Sequence, residues 1–203
     1  MTPTYVAYGS SYEVAKNTFS APAGTSTTYT ITLNPNYTDS ANITKTVTNI
    51  LPKVFDTWHQ GSTSGPALTP GTNITVTDDI VLYATWKDGT LQKETISLGS
   101  LTRNDTTATG YTVSFNTQGG SSVNSLTSIR TIKYTFQGWM SSASGTSVEY
   151  DATSLYSFTE NIILYAKWDS TIINGSINLP AASTKTGYKF LGWGASAQAT
   201  SYK

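Results

Sequence analysis

Ile80-Val81-Leu82-Tyr83-Ala84-Thr85-Trp86 and Ile162-Ile163-Leu164-Tyr165-Ala166-Lys167-Trp168 are near-copies of one strand-like segment. They end in tryptophans 82 positions apart (86 and 168). An earlier tryptophan precedes each, Trp58 and Trp139, 81 apart. Further upstream, Tyr29-Thr30-Ile31-Thr32-Leu33 and Tyr111-Thr112-Val113-Ser114-Phe115 begin 82 apart (29 and 111). Three landmarks in one register mark an internal repeat, the sequence signature of an array built from one supersecondary unit.

The 203 residues suffice for two modest domains, and the period favours that over one large domain. Charged residues make up 12%, about half the usual share, and 12 basic side chains balance 12 acidic ones. A neutral chain without a basic stripe is a poor partner for nucleic acid or an anionic membrane surface. Ser, Thr, 13 Tyr and 5 Trp give the palette of exposed β-sheets. No apolar run approaches the roughly 20 residues that span a bilayer as a helix, so membrane insertion is not expected. Cysteine is absent, which excludes a disulfide scaffold, thiolate metal sites and a Cys nucleophile. Met1-Thr2-Pro3-Thr4-Tyr5 shows neither the charged nor the apolar region of a signal peptide. That leaves an excised fragment with an added start Met, or a natural Met1 exported without such a peptide.

The pattern along the chain is almost all strand. Tyr111, Val113 and Phe115 alternate with Thr112 and Ser114, and Tyr29, Ile31 and Leu33 with Thr30 and Thr32, as half-buried strands do. Leu164, Ala166 and Trp168 share one face, and Ile163, Tyr165 and Lys167 the other, which predicts a central strand with a partly covered outer face. Asn34-Pro35-Asn36 and residues 116–120 read as turns. Gly138 before Trp139 and Gly192 before Trp193 read as bulges that re-aim the following ring, with Thr57 in the degenerate first copy. No segment carries a helical apolar pattern, so helix should be minor.

Four stretches follow: an N-terminal segment 1–28, docking or extra strands; a first, degenerate β repeat 29–88; linker strands plus a second repeat 89–169; and an incomplete third repeat 170–203. The third lacks a Leu-Tyr-Ala-x-Trp strand, which predicts a longer parent beyond Lys203.

These residues resemble the internalin-B-type B repeat, also called the Listeria–Bacteroides repeat. The resemblance rests on Phe115-Asn116-Thr117-Gln118-Gly119-Gly120, residues 134–139 and residues 164–168 in the second copy. Leu179-Pro180 with residues 187–193 carry it in the third copy, and Trp58 with residues 82–86 in the first. It implies tandem small β-grasp-like modules on bacterial surface proteins or phage virions, without enzyme activity. No catalytic, cofactor-binding or metal-binding residue is carried over, and no cofactor is implied.

The five Trp residues fit either a sugar-stacking platform or the core of each module, and recurrence inside strand patterns favours the core. Tyr8, Tyr12, Tyr37 and Tyr202 are candidates for adhesive contacts. His59, the sole histidine, would have to serve any Ser–His–Asp triad, yet no nucleophile elbow accompanies it and residues 141–145 offer hydroxyls without activation. Scattered carboxylates argue poorly for glycoside hydrolysis. Asp78-Asp79 lacks the oxygen-rich loop a Ca²⁺ site requires. Asn36, Asn42, Asn73, Asn104 and Asn174 head Asn-x-Ser/Thr triplets that matter only in a glycosylating host. Gly119-Gly120 reads as a turn rather than a phosphate cradle.

The fold expected is mainly β, with modules packing end to end into an elongated array. The function expected is non-enzymatic: a surface-exposed spacer, stalk or adhesion module, extracellular on a bacterial cell surface. Its alternatives are a phage virion protein (capsid decoration or fibre) on the virion surface, and an accessory module of a secreted carbohydrate-active enzyme. The expected partners are proteins or surface glycans, neighbouring repeats or virion subunits. Repeated β edges also suggest a homo-oligomer.

Overall fold

The computed structural model describes residues 9–14, 20–201 and 203. Among the described residues the protein is mainly β, with 44% strand and no helix, as the period-2 patterning requires. In chain order the strands are β1 (Ser11–Glu13), β2 (Thr25–Asn34), β3 (Ile43–Leu51), β4 (Lys53–Gln60), β5 (Ala67–Leu68) and β6 (Asn73–Thr75). There follow β7 (Leu82–Asp88), β8 (Ile96–Ser97), β9 (Thr106–Val113), β10 (Leu126–Met140), β11 (Leu155–Tyr156) and β12 (Ile162–Asn174). Two compact units form, residues 1–98 with 153–164, and residues 99–152 with 165–203.

In the first unit, β2 and β3 pair antiparallel in an unbroken register from Thr25↔Leu51 to Leu33↔Ile43. The connection turns at Asn34-Pro35-Asn36, where Asn36 takes φ 61° and its N–H donates to the Asn34 side-chain oxygen at 2.7 Å. A local Asx bond of this kind lets Asn accept the left-handed region that bulkier residues avoid. Ile31, Leu33 and Val47 are fully buried with Val14, Leu98 and Leu164, the inward half of the alternation. Burying each such side chain contributes about 1.5–3 kcal/mol.

One polar residue enters this core. Asn49 is 2% exposed, its Nδ2 donates to the Phe158 carbonyl at 2.8 Å, and its Oδ1 accepts from Glu94 N–H at 3.1 Å. The Glu94 carboxylate in turn accepts from Thr48 N–H. One buried amide thereby ties β3 to two segments distant in sequence, with both ends of its side chain satisfied. Backbone bonds between Ile50 and Gln92 extend the tie, and β8 pairs with β11 beside it.

β4 forms a separate antiparallel sheet with β5 and β7, while β1 pairs with β6. In the second unit, β10 pairs antiparallel with β9 on one side and with β12 on the other. Here one expectation fails. Tyr111 is 74% exposed and Val113 36%, so the alternation in β9 does not mark a buried face. β9 hydrogen-bonds to β10 alone and stops at Val113, leaving Phe115 beyond its end.

Candidate interaction surface

The recurring feature is an aromatic lock built on a bulge. In β10, Phe136 faces Trp168, Gly138 faces Lys167 and Trp139 faces Ala166, so Gln137 is an extra residue against β12. In β4, Phe55 faces Trp86 and Trp58 faces Ala84, three positions against two. Both strands carry the same one-residue bulge, which bends the strand and turns the tryptophan onto the phenylalanine. Ring centroids lie 5.5 Å apart for Phe55–Trp58 and 5.9 Å for Phe55–Trp86. The second copy repeats this at 5.3 Å for Phe136–Trp139 and 5.6 Å for Phe136–Trp168. These separations and the tilted or edge-to-face angles are the arrangement that ring quadrupoles favour.

The bulge is made in two ways. Gly138 takes φ 147°, and so does Gly192 in the third copy, a region closed to side-chain-bearing residues. A Cβ on Gly138 would stand 2.4 Å from Val148 Cγ1 and 2.9 Å from the Tyr150 carbonyl oxygen. Thr57 builds the first copy's bulge without a positive φ, and its hydroxyl donates to the Leu68 carbonyl at 2.9 Å. After each tryptophan the chain turns back and pairs with it: Trp58 with Leu68, Trp139 with Tyr150, Trp193 with Lys203.

The return turn also recurs. Gly65 N–H donates to the Ser62 carbonyl, Gly145 to Ser142 and Ala199 to Ser196, at 3.0, 3.1 and 3.1 Å. His59 lies under the first of these turns. Its Nδ1 is 2.6 Å from the Gly65 carbonyl, which can only accept, so Nδ1 carries the proton. Met140 occupies the same position in the second copy and is buried. The sole histidine thus braces a turn, as a methionine does one repeat later. The hydroxyl and N–H of Ser141 both donate to Glu149.

The tryptophans divide by burial. Trp139 is fully buried, whereas Trp58, Trp86, Trp168 and Trp193 are half-buried, so core status holds completely for one and partly for four. The indole of Trp139 donates to the Gly99 carbonyl at 2.8 Å and that of Trp193 to the Pro180 carbonyl at 3.1 Å. Leu98-Gly99 and Leu179-Pro180 are 81 positions apart, a second register of the repeat that the sequence reading missed.

Other candidate residues are not gathered together. Asp78 and Asp79 are exposed, and among the described residues no group of three or more His, Cys, Asp or Glu side chains converges. Asn42, Asn73, Asn104 and Asn174 are exposed, and Asn36 sits half-buried in its turn. Gly119 (φ 84°) and Gly120 form a turn closed by Gly120 N–H to the Thr117 carbonyl at 3.0 Å. Tyr12 is exposed in β1 and Tyr37 half-buried, whereas Tyr8 and Tyr202 lie outside the described residues, as do residues 1–8 and 15–19 of the segment 1–28.

The class defined by these features is a mainly-β repeat protein in which two copies close over the same three-ring aromatic cluster. The Listeria-Bacteroides repeat domain model matches residues 12–85, 111–167 and 170–203. The chain belongs to that family, which is typical of bacterial surface proteins. No curated protein and no solved structure matches it significantly.

Proposed function

We propose that this chain is a non-enzymatic display module, a spacer or adhesion element of a bacterial cell-surface protein. The observation that carries this reading is the aromatic lock. The residues that recur from copy to copy, Phe55 with Trp58 and Trp86 and Phe136 with Trp139 and Trp168, contact one another. Such recurrence serves a fold repeated in tandem. A recurring ligand site would instead hold its rings apart, with flat faces toward solvent. Membership of a family typical of surface proteins supports the same reading. Contacts with protein partners or glycans then fall to exposed, non-recurring residues such as Tyr12.

Antibodies raised against the chain test this on intact cells of its natural producer. Surface labelling, and release of the chain's peptides by brief protease treatment of whole cells, is the expected result. Recovery of the protein only inside purified virus-like particles would replace this reading with that of a virion structural protein.

A further inference from the structure

Asn174 ends β12 and Gly175 follows it, the only Asn-Gly pair in the chain. The fold demands the glycine. Its N–H donates to the Ile129 carbonyl at 2.9 Å, and a Cβ there would stand 2.1 Å from that same oxygen. No such demand falls on the asparagine, which is exposed and whose side-chain amide hydrogen-bonds to none of the described residues. Asn34, Asn49, Asn116 and Asn161, by contrast, each hold a main-chain group through the side chain. The related pair Asp88-Gly89 is also tied down: the Asp88 carboxylate accepts from Lys53 Nζ at 2.6 Å.

Across the sheet Asn174 faces Arg130, the first pair of the β10–β12 register. Directly opposed side chains on one face stand about 4.5–5.5 Å apart at Cβ, within reach of each other. Arg130 is half-buried, and its Nε is buried without an acceptor among the described residues. From β9 it faces Ala108, which offers none. A desolvated guanidinium N–H is costly to leave unpaired, and a carboxylate is its strongest partner.

We infer that Asn174 is a site of spontaneous deamidation, and that the aspartate it forms pairs with Arg130. The step consumes only water. The Gly175 nitrogen gives up its proton and attacks Cγ of Asn174; the Cγ–Nδ2 bond breaks, ammonia leaves, and a cyclic imide joins the two residues. Water then opens the ring. Addition at Cγ restores the main chain with aspartate at this position, whereas addition at the main-chain carbonyl carbon gives isoaspartate and a backbone longer by one methylene. Glycine leaves the attacking nitrogen unshielded by a side chain. The bond to Ile129 restrains that nitrogen, so the reaction waits on fraying of the last rung of β12. The chain thereby gains a negative charge with time, opposite the guanidinium that lacks an acceptor. The inference rests on local geometry and holds wherever the protein is displayed.

The test holds the full chain in warm, mildly alkaline buffer and follows every asparagine by peptide mapping and mass spectrometry. The amide-to-acid mass change is expected at Asn174 before any other asparagine. An intact Asn174, at a time when a free peptide of residues 170–179 has converted completely, would overturn the site. Pairing is read separately on an Asn174→Asp chain, which should melt about 2–4 °C above the parent. Arg130→Gln should abolish that gain, and the Arg130 Nε–H resonance should shift between the parent and Asn174→Asp. An unchanged melting temperature, a gain that survives Arg130→Gln, or an unmoved Nε–H resonance would overturn the pairing.

Discussion

Trp139 donates its indole N–H to the carbonyl oxygen of Gly99 at 2.8 Å, across 40 residues of chain, from a side chain that has no solvent exposure. Trp193 makes the equivalent bond to Pro180 across only 13 residues. The second copy has therefore kept the anchor while β9 and the turn after it lie between its two halves. A large buried ring whose one polar atom is satisfied is the strongest fixed point in its unit.

Trp139→Ala should destabilise the second unit by about 3–5 kcal/mol, the usual cost of truncating a buried aromatic. Trp139→Phe keeps most of the ring but strands the Gly99 carbonyl, at about 1–3 kcal/mol. Trp168→Ala should cost less than Trp139→Ala, because Trp168 is only half-buried. Urea unfolding of the three variants followed by circular dichroism gives the order. Equal losses for Trp139→Ala and Trp168→Ala would contradict it.

Gly138 and Thr57 make the same bulge with different backbones, so exchanging them is informative. Gly138→Thr drives a side chain into Val148 and the Tyr150 carbonyl at a φ of 147°. The overpacking alone costs about 1–3 kcal/mol, with backbone strain added to it. Thr57→Gly loses one hydroxyl bond and some backbone restriction, about 1–2 kcal/mol together. Thermal melts of the two variants should show the larger drop for Gly138→Thr.

Asn49 holds three segments of the first unit through one side chain. Asn49→Leu would remove the bonds to the Phe158 carbonyl and from the Glu94 N–H, at about 1–3 kcal/mol for the buried side chain's lost bonding. Hydrogen exchange should accelerate at the Glu94 amide before it does at Ile31 or Val47, whose surroundings are apolar. An unchanged Glu94 amide would show that the bond does not hold the segment.

His59 should exist as the Nδ1–H tautomer, because its partner is a carbonyl. Long-range nitrogen-15 spectra report this directly. His59→Ala should loosen the turn at residues 62–65 at a cost of about 1 kcal/mol. Dominance of the Nε2–H tautomer would remove the bracing role.

The repeat and the β class could be read from residues alone, because period-2 alternation and the 82-residue spacing are local signals. The bulges were legible too, since a Gly inside a strand pattern has few other uses. β9 was not: Tyr111 and Val113 alternate as buried residues do, and only the identity of strand neighbours decides which face is covered. The joining of residues 92–98 and 153–164 to β2 and β3 was equally hidden, because scattered polar contacts make it, Asn49 to Phe158 and Glu94, Lys45 to the Ser97 carbonyl and Thr30 N–H to Asn161, which no sequence pattern announces. The 81-residue spacing of Leu98-Gly99 and Leu179-Pro180 was visible, but without the indole bonds nothing distinguished it from chance.

Hydrogen exchange at the indole N–H groups of the full chain, resolved by nuclear magnetic resonance, tests the central claim that one aromatic lock recurs in this fold. Slow exchange is expected at Trp139, intermediate protection at Trp193 through its bond to Pro180, and loss of that protection in Trp193 alone when Phe190, 5.1 Å from its ring, is changed to Ala. Fast exchange at Trp139 comparable to a free indole, or loss of protection at both residues from that single change, would contradict it.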